Sequence, residues 1–215
     1  MRRRIRPFLA VASPVTMAAV LALGACASAG LAVHLQTLMP AELAPRSVAA
    51  VAGAPMAIVL EPIRLPARVD QPQWLVLLPD DSLLALEQER WASPLRDEFR
   101  QALLEELVAH TGVVEVRALA AGAAPPVRVG VEVRRFDSIP GREARIEGSW
   151  TLRSGTPGAL PWRCQWLVRE PAAPGIPALA AAHRRAVVRL ADGIGDSLVA
   201  LQRGSPIECP RSDPR

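Results

Sequence analysis

The sequence predicts an α+β fold, a two-layer sandwich in which an antiparallel-rich sheet carries two amphipathic helices on one face. Three observations point there. Residues 127–153 alternate apolar and charged side chains on both sides of a Pro-Gly turn, the period-2 pattern of a hairpin with one wet face. Two stretches, 94–111 and 177–201, repeat apolar residues at helical spacing. The 21 prolines, spread mainly through the loops, argue against an all-helical body.

The chain begins with Arg2-Arg3-Arg4-Ile5-Arg6, followed by an uncharged run from Pro7 to Leu23 and then Leu23-Gly24-Ala25-Cys26. A positive start, a short apolar run and small residues at its end describe a secretory signal peptide. The ending resembles the lipobox of bacterial lipoproteins, with cleavage between Ala25 and Cys26 and lipidation of the Cys26 thiol. Small residues suit the peptidase groove, and acyl chains at about 0.8 kcal/mol per buried CH₂ anchor a protein without a spanning helix. The alternative is an uncleaved membrane anchor, because the apolar run approaches the roughly 20 residues needed to span. Ala27 follows the cysteine where enteric sorting conventions place Asp for inner-membrane retention, which leans toward the outer membrane.

The organisation expected is a signal peptide over 1–25, a lipidated N-terminus and tether over 26–54, a folded domain over 55–203 and a C-terminal tail over 204–215. Within the tether, 32–38 is a short extended candidate. Ala57–Ile63 reads as a strand, as does Gln73–Leu78. Pro79-Asp80-Asp81 is a turn, and Ser82–Leu86 its hairpin partner. Ser93 is placed as an N-cap with Pro94 at the first helical position, and Leu95, Phe99, Leu103 and Leu107 form the apolar stripe behind them. Thr111-Gly112 ends that helix, and Val113–Leu119 follows as a strand.

In the long hairpin, Val127, Val129, Val131 and Val133 face one way while Arg128, Glu132 and Arg134 face the other. Ala144, Ile146, Gly148, Trp150 and Leu152 alternate with Glu143, Arg145, Glu147, Thr151 and Arg153. The opposed charges read as solvated cross-strand pairs of roughly 0.2–1 kcal/mol each, with an anionic-ligand site as the alternative. Trp162–Val168 is a further strand. The last helix bears the stripe Leu179, Ala182, Ala186, Val187, Leu190, Ile194, Leu198 and Leu201. Gly193 and Gly195 each cost it up to about 1 kcal/mol relative to Ala, which leaves room for a bend there. Trp150 is expected under the helices, Trp91 as a contact closing the first helix on the sheet, and Trp162 with Trp166 in the core.

The formal charge of +4 and the pI of about 10.0 invite a nucleic-acid reading. Four of the arginines precede the cleavage point, however, and losing them leaves 21 basic against 21 acidic residues. The rest alternate with glutamates along strands, so nucleic-acid binding is unsupported. His34, His110 and His183 are far apart and read as surface or helix-end side chains rather than metal ligands. Asp80-Asp81 reads as a turn, and Gly193-Ile194-Gly195 lies inside a helix rather than after a strand. No catalytic set, cofactor site or metal site is expected. Outside the cytoplasm, Cys164 and Cys209 are candidate disulfide partners, the alternative being one buried and one exposed thiol.

Taken in order, these segments resemble the ABC-type transport auxiliary lipoprotein family. The resemblance is carried by Pro62-Ile63-Arg64-Leu65-Pro66-Ala67-Arg68-Val69-Asp70, Arg90-Trp91-Ala92-Ser93-Pro94-Leu95, Val131-Glu132-Val133-Arg134-Arg135-Phe136-Asp137 and Leu167-Val168-Arg169-Glu170. It runs from about His34 to Leu201. Val33-His34-Leu35-Gln36 departs from the family's usual aromatic first strand, as do Glu87 and Glu89 ahead of Trp91. The resemblance implies a non-catalytic accessory lipoprotein facing the periplasm. Its partner would be a periplasmic MCE-domain protein and, through it, an ABC permease and ATPase moving lipids or other hydrophobic molecules. Homo-oligomerisation stays open. The competing readings are an assembly lipoprotein of another envelope complex and a periplasmic lipid-binding carrier.

Overall fold

The longest ladder explains why the rest of the molecule stands where it does. In the computed structural model, which describes residues 32–39, 55–116, 125–156 and 158–214, β6 (Val127–Ile139), β7 (Glu143–Arg153) and β8 (Trp162–Pro171) form an antiparallel meander. Val131 lies opposite Trp150, and Phe136 opposite Ile146. The alternation of the sequence thus becomes one apolar and one charged face. The register shifts between Val133 and Arg135. This bulge leaves Arg134 and Arg135 both in solvent and turns Phe136 inward. Gly148 sits at the shift, where an added Cβ would come within 2.2 Å of the Glu132 carbonyl. Only a residue without a side chain permits that approach.

Two further strands extend this sheet in parallel. β2 (Ala57–Leu60) pairs with β6 and also with the short β5 (Val114–Glu115), giving the order β5-β2-β6-β7-β8. Parallel neighbours need a long crossover. Here the crossover holds two strands of a second, three-stranded sheet and the first helix. That sheet has the order β1-β4-β3, with β3 (Gln73–Leu77) antiparallel and β1 (His34–Gln36) parallel to β4 (Leu83–Trp91). The α+β architecture stands as expected, but it is built on two mixed sheets rather than one. β4 also continues to Trp91 instead of ending at Leu86. Its polar second half, Glu87 to Arg90, is largely exposed and so carries no alternating signal. It is a strand because β1 and β3 flank it.

The folded body therefore begins ahead of the residue 55 expected from composition. β1 is hydrogen-bonded into the sheet, and Val33–Arg215 forms one compact unit.

Helix α1 spans Leu95–Thr111 and buries Leu95, Phe99, Ala102, Leu103 and Leu107. Its first turn differs from expectation. Pro94, not Ser93, holds the capping position, and its carbonyl accepts from the Asp97 and Glu98 amides. Ser93 instead donates its hydroxyl to the Glu98 carboxylate at 2.8 Å. Helix α2 spans Ile176–Arg203, packs on β7 and β8, and lies against α1. A Cβ on Gly195 would come within 2.3 Å of the His110 ring and 2.9 Å of the Thr111 methyl. The glycine costs the helix propensity, but it lets the end of α1 sit against α2.

A chain of rings joins the layers. Trp74 of β3 stacks on Trp91 of β4 at 4.1 Å, and Trp91 meets Phe136 of β6 edge-on at 6.0 Å. Phe136 in turn meets Phe99 of α1 at 6.4 Å and stacks flat on His183 of α2 at 4.0 Å. Aromatic pairs of this kind add about 0.5–1.5 kcal/mol beyond the area they bury. Trp150 and Trp166 are buried, but Trp162, expected in the core, keeps 38% of its surface exposed near the start of β8.

Candidate functional site: the open sheet face and the tied tail

Ala25 and Cys26, the cleavage and lipidation residues expected from sequence, lie outside the described residues. Cys164 and Cys209 are joined by a disulfide with Cα atoms 5.4 Å apart. Cys164 is a core residue of β8, so the bond ties the tail to the last strand of the sheet. Farther on, the Asp213 amide donates to the Leu167 carbonyl at 2.9 Å, and its carboxylate accepts the Arg169 amide at 2.7 Å. Arg189 of α2 grips both Asp213 oxygens at 2.8 Å. That guanidinium holds the Asp213 carboxyl below the usual carboxylate range. The tail thus occupies backbone groups on the free edge of β8, an arrangement that keeps an edge strand from pairing with another chain.

The three histidines have three different environments. His34 is exposed, its Nδ1 2.9 Å from Glu89. His110 ends α1 beside Asp196 at 3.1 Å and Asp192 at 3.6 Å. His183, expected at a surface or helix end, is fully buried. Its Nε2 lies 2.8 Å from the Ser138 hydroxyl, while Nδ1 has no partner. Burial pushes its pKa down to about 3, so the ring is neutral at physiological pH. The alanines around it on α2 were the available clue, since a polar residue on a stripe of small apolar ones is inside more often than out. Among the described residues, no group of three His, Cys, Asp or Glu side chains is placed to hold a metal ion.

A buried carboxylate missed by sequence reasoning anchors the N-terminal strand. Glu98 accepts the Thr37 hydroxyl at 2.6 Å and the Leu38 amide at 2.9 Å, in addition to Ser93. Arg184 of α2 donates to the Thr37 carbonyl at 2.9 Å. An acid in the first turn of a helix reads as a dipole partner, which hides its second use as a buried acceptor.

The outward face of the five-stranded sheet is where charge gathers. Glu61 pairs with Arg128 and Arg153, and Glu132 with Arg64 and Arg163. Asp137 lies among Arg68, Arg135 and Arg145, at 3.7, 3.4 and 2.8 Å. Glu147 serves Arg134 and Arg135, and Glu143 serves Arg169. Nine arginines thus share five carboxylates.

The acids also lie deeper. Asp137 and Glu143 side chains are 5% and 12% exposed, against 56% for Arg128 and 59% for Arg163. The pairs that Glu61 and Glu132 make with the exposed Arg64, Arg128, Arg153 and Arg163 are worth about 0–1 kcal/mol each. Their sum is a layered surface with carboxylates below and guanidiniums above. Alternation along single strands concealed it, because the excess arises only when four strands and the loop bearing Arg68 lie side by side. Arg135, Arg145 and Arg169, with Glu147 and Leu167, also border an open depression of about 380 Å³.

The fold is similar to the crystal structure of an uncharacterized protein, at 15% identity and a TM-score of 0.59 over 66% of this chain and 92% of that one. It is also similar to the crystal structure of a protein from Xanthomonas campestris, at 19% identity and a TM-score of 0.57 over 70% and 88%. A search of curated proteins found no match. Residues 37–195 match the model of a family described as the ABC-type transport auxiliary lipoprotein component.

Proposed function

The chain belongs to the family of ABC-type transport auxiliary lipoprotein components, and on that premise we propose that it is a non-catalytic adaptor of an MCE-type transport system. It is a lipid-anchored protein of the cell envelope. In the proposed role, acyl chains on Cys26 hold it to the outer membrane with the folded domain in the periplasm. There it meets a periplasmic MCE-domain protein whose inner-membrane permease and ATPase drive lipids or other hydrophobic molecules between membranes. The observation that carries the proposal is the family match, which spans the domain from just after β1 into α2. The lipobox and the envelope-compatible disulfide support it from the sequence and from the fold.

The test is crosslinked affinity capture of the full-length chain from its own envelope. The proposal expects a periplasmic MCE-domain protein among the captured partners, together with its permease and ATPase. Capture of another envelope machine's subunits in their place refutes it. Native mass spectrometry showing stoichiometric phospholipid inside the domain would refute the adaptor role in favour of a carrier.

A further inference from the structure

We infer that the outward face of the five-stranded sheet is a membrane-docking surface that rests on the anionic phospholipid headgroups of the bilayer holding the acyl chains. The inference builds on the lipid anchor at Cys26 and is independent of which transport partner is bound.

Three features carry it. The first is charge. Nine arginines over five recessed carboxylates give the face four formal positive charges. Among the described residues, that leaves nine arginines against fifteen acids elsewhere. An anionic bilayer attracts this face and repels the remainder, which selects an orientation as well as an affinity.

The second feature is shape and donor chemistry. Strands lie about 4.8 Å apart and rise about 3.3 Å per residue, so β2, β6, β7 and β8 make a broad platform rather than a closed pocket. A platform fits an array of headgroups. Guanidinium forks match phosphate oxygens two at a time. Because each carboxylate beneath serves two or three arginines in most cases, N–H groups are left directed outward. The depression between Arg135, Arg145 and Arg169 can seat a single phosphate.

The third feature is reach. Seven residues lie between Cys26 and His34, eight Cα–Cα steps that span at most about 27 Å if fully extended. Packed layers are about 10 Å apart, so the sheet face can be laid on the bilayer and the domain cannot leave it. Among macromolecular surfaces, the bilayer is therefore the one always within range of this face.

The experiment uses the lipidated full-length processed protein in phosphatidylcholine vesicles with or without phosphatidylglycerol. One variant carries a fluorophore on the sheet face at Gln165→Cys, and another on α1 at Gln101→Cys, both exposed positions. A lipid-borne quencher should extinguish the Gln165→Cys label on phosphatidylglycerol vesicles only, reversibly with salt, and leave the Gln101→Cys label bright. A second measurement sediments the processed Cys26→Ser chain, which has no anchor, with the same vesicles. Each arginine near an anionic surface is worth about a fivefold gain in partitioning. The triple variant Arg128→Gln, Arg153→Gln, Arg163→Gln should therefore bind roughly a hundredfold more weakly by the same estimate.

Equal quenching on both vesicle types, or quenching at Gln101→Cys instead, overturns the inference. So does a Gln165→Cys label that stays bright on phosphatidylglycerol but is shielded by polyglutamate, an outcome that makes the face a site for acidic protein. The vesicles contain no transport partner, so these results are read separately from the capture experiment.

Discussion

Lowering the pH from 7 to 5 should weaken the fold through one side chain, His183. The ring is fully buried between Phe136, stacked at 4.0 Å, and Trp74, edge-on at 5.8 Å. Ser138 meets Nε2, and no acceptor stands at Nδ1 to take a hydrogen bond from the N–H that a second proton would create. The folded pKa is about 3 against an ordinary value of 6.5. Because the folded value is depressed, the unfolded chain takes up the proton first as pH falls. Stability is therefore complete above 6.5 and is lost progressively between 6.5 and about 3. Linkage with these two values gives a loss of about 2 kcal/mol between pH 7 and pH 5.

That is a sizeable part of the roughly 5–15 kcal/mol that keeps a domain folded. For a chain of this size it corresponds to about 4–8 °C in Tm. The interval is chosen because the Asp213 carboxyl, held below its ordinary 3.8, stays ionised throughout it. The assay is thermal or urea unfolding of the parent and of His183→Gln at each pH. The variant is expected to be less stable at pH 7, because the flat stack on Phe136 is lost, but its stability should change less between pH 7 and pH 5. Parallel curves for the two proteins would refute the assignment of the acid loss to this ring.

Two further outcomes follow from the packing. Cys209→Ala opens a crosslink between residues 45 apart in sequence, and the chain-entropy relation puts the loss near 4 kcal/mol, read by urea unfolding. A much smaller loss would mean that the Asp213 clamp alone already restrains the tail. Glu98→Ala removes the acceptor for the Leu38 amide and the Thr37 and Ser93 hydroxyls. At about 1–3 kcal/mol for an orphaned buried donor, the domain should lose at least that much. Hydrogen exchange at Leu38 should rise first, and unchanged exchange there would rule out the anchoring role.

Much of the architecture is legible in the primary structure because it rests on local rules. The β6–β7 hairpin follows from alternation about a Pro-Gly turn, and both helices follow from apolar spacing. The signal segment and the lipobox at Cys26 are expectations from the order of residues, and they lie outside the described residues. Cys164 and Cys209 could be named as partners, but only their separation in space decides a bond.

What needed the tertiary structure depends on contacts between distant segments. The second sheet gains its third strand because β1 joins β4 across more than fifty residues, a pairing to which no short-range pattern responds. His183 resembles a surface residue until Phe136 and Trp74 close over it, and Glu98 resembles a dipole partner until Thr37 and Leu38 arrive. The arginine surface is the plainest instance. Along any one strand the charges alternate and cancel, and only their stacking across neighbouring strands sinks the acids and leaves the guanidiniums uppermost. Sequence periodicity records the direction in which a side chain points, whereas its neighbours, and hence its charge environment, are set by how the strands are assembled.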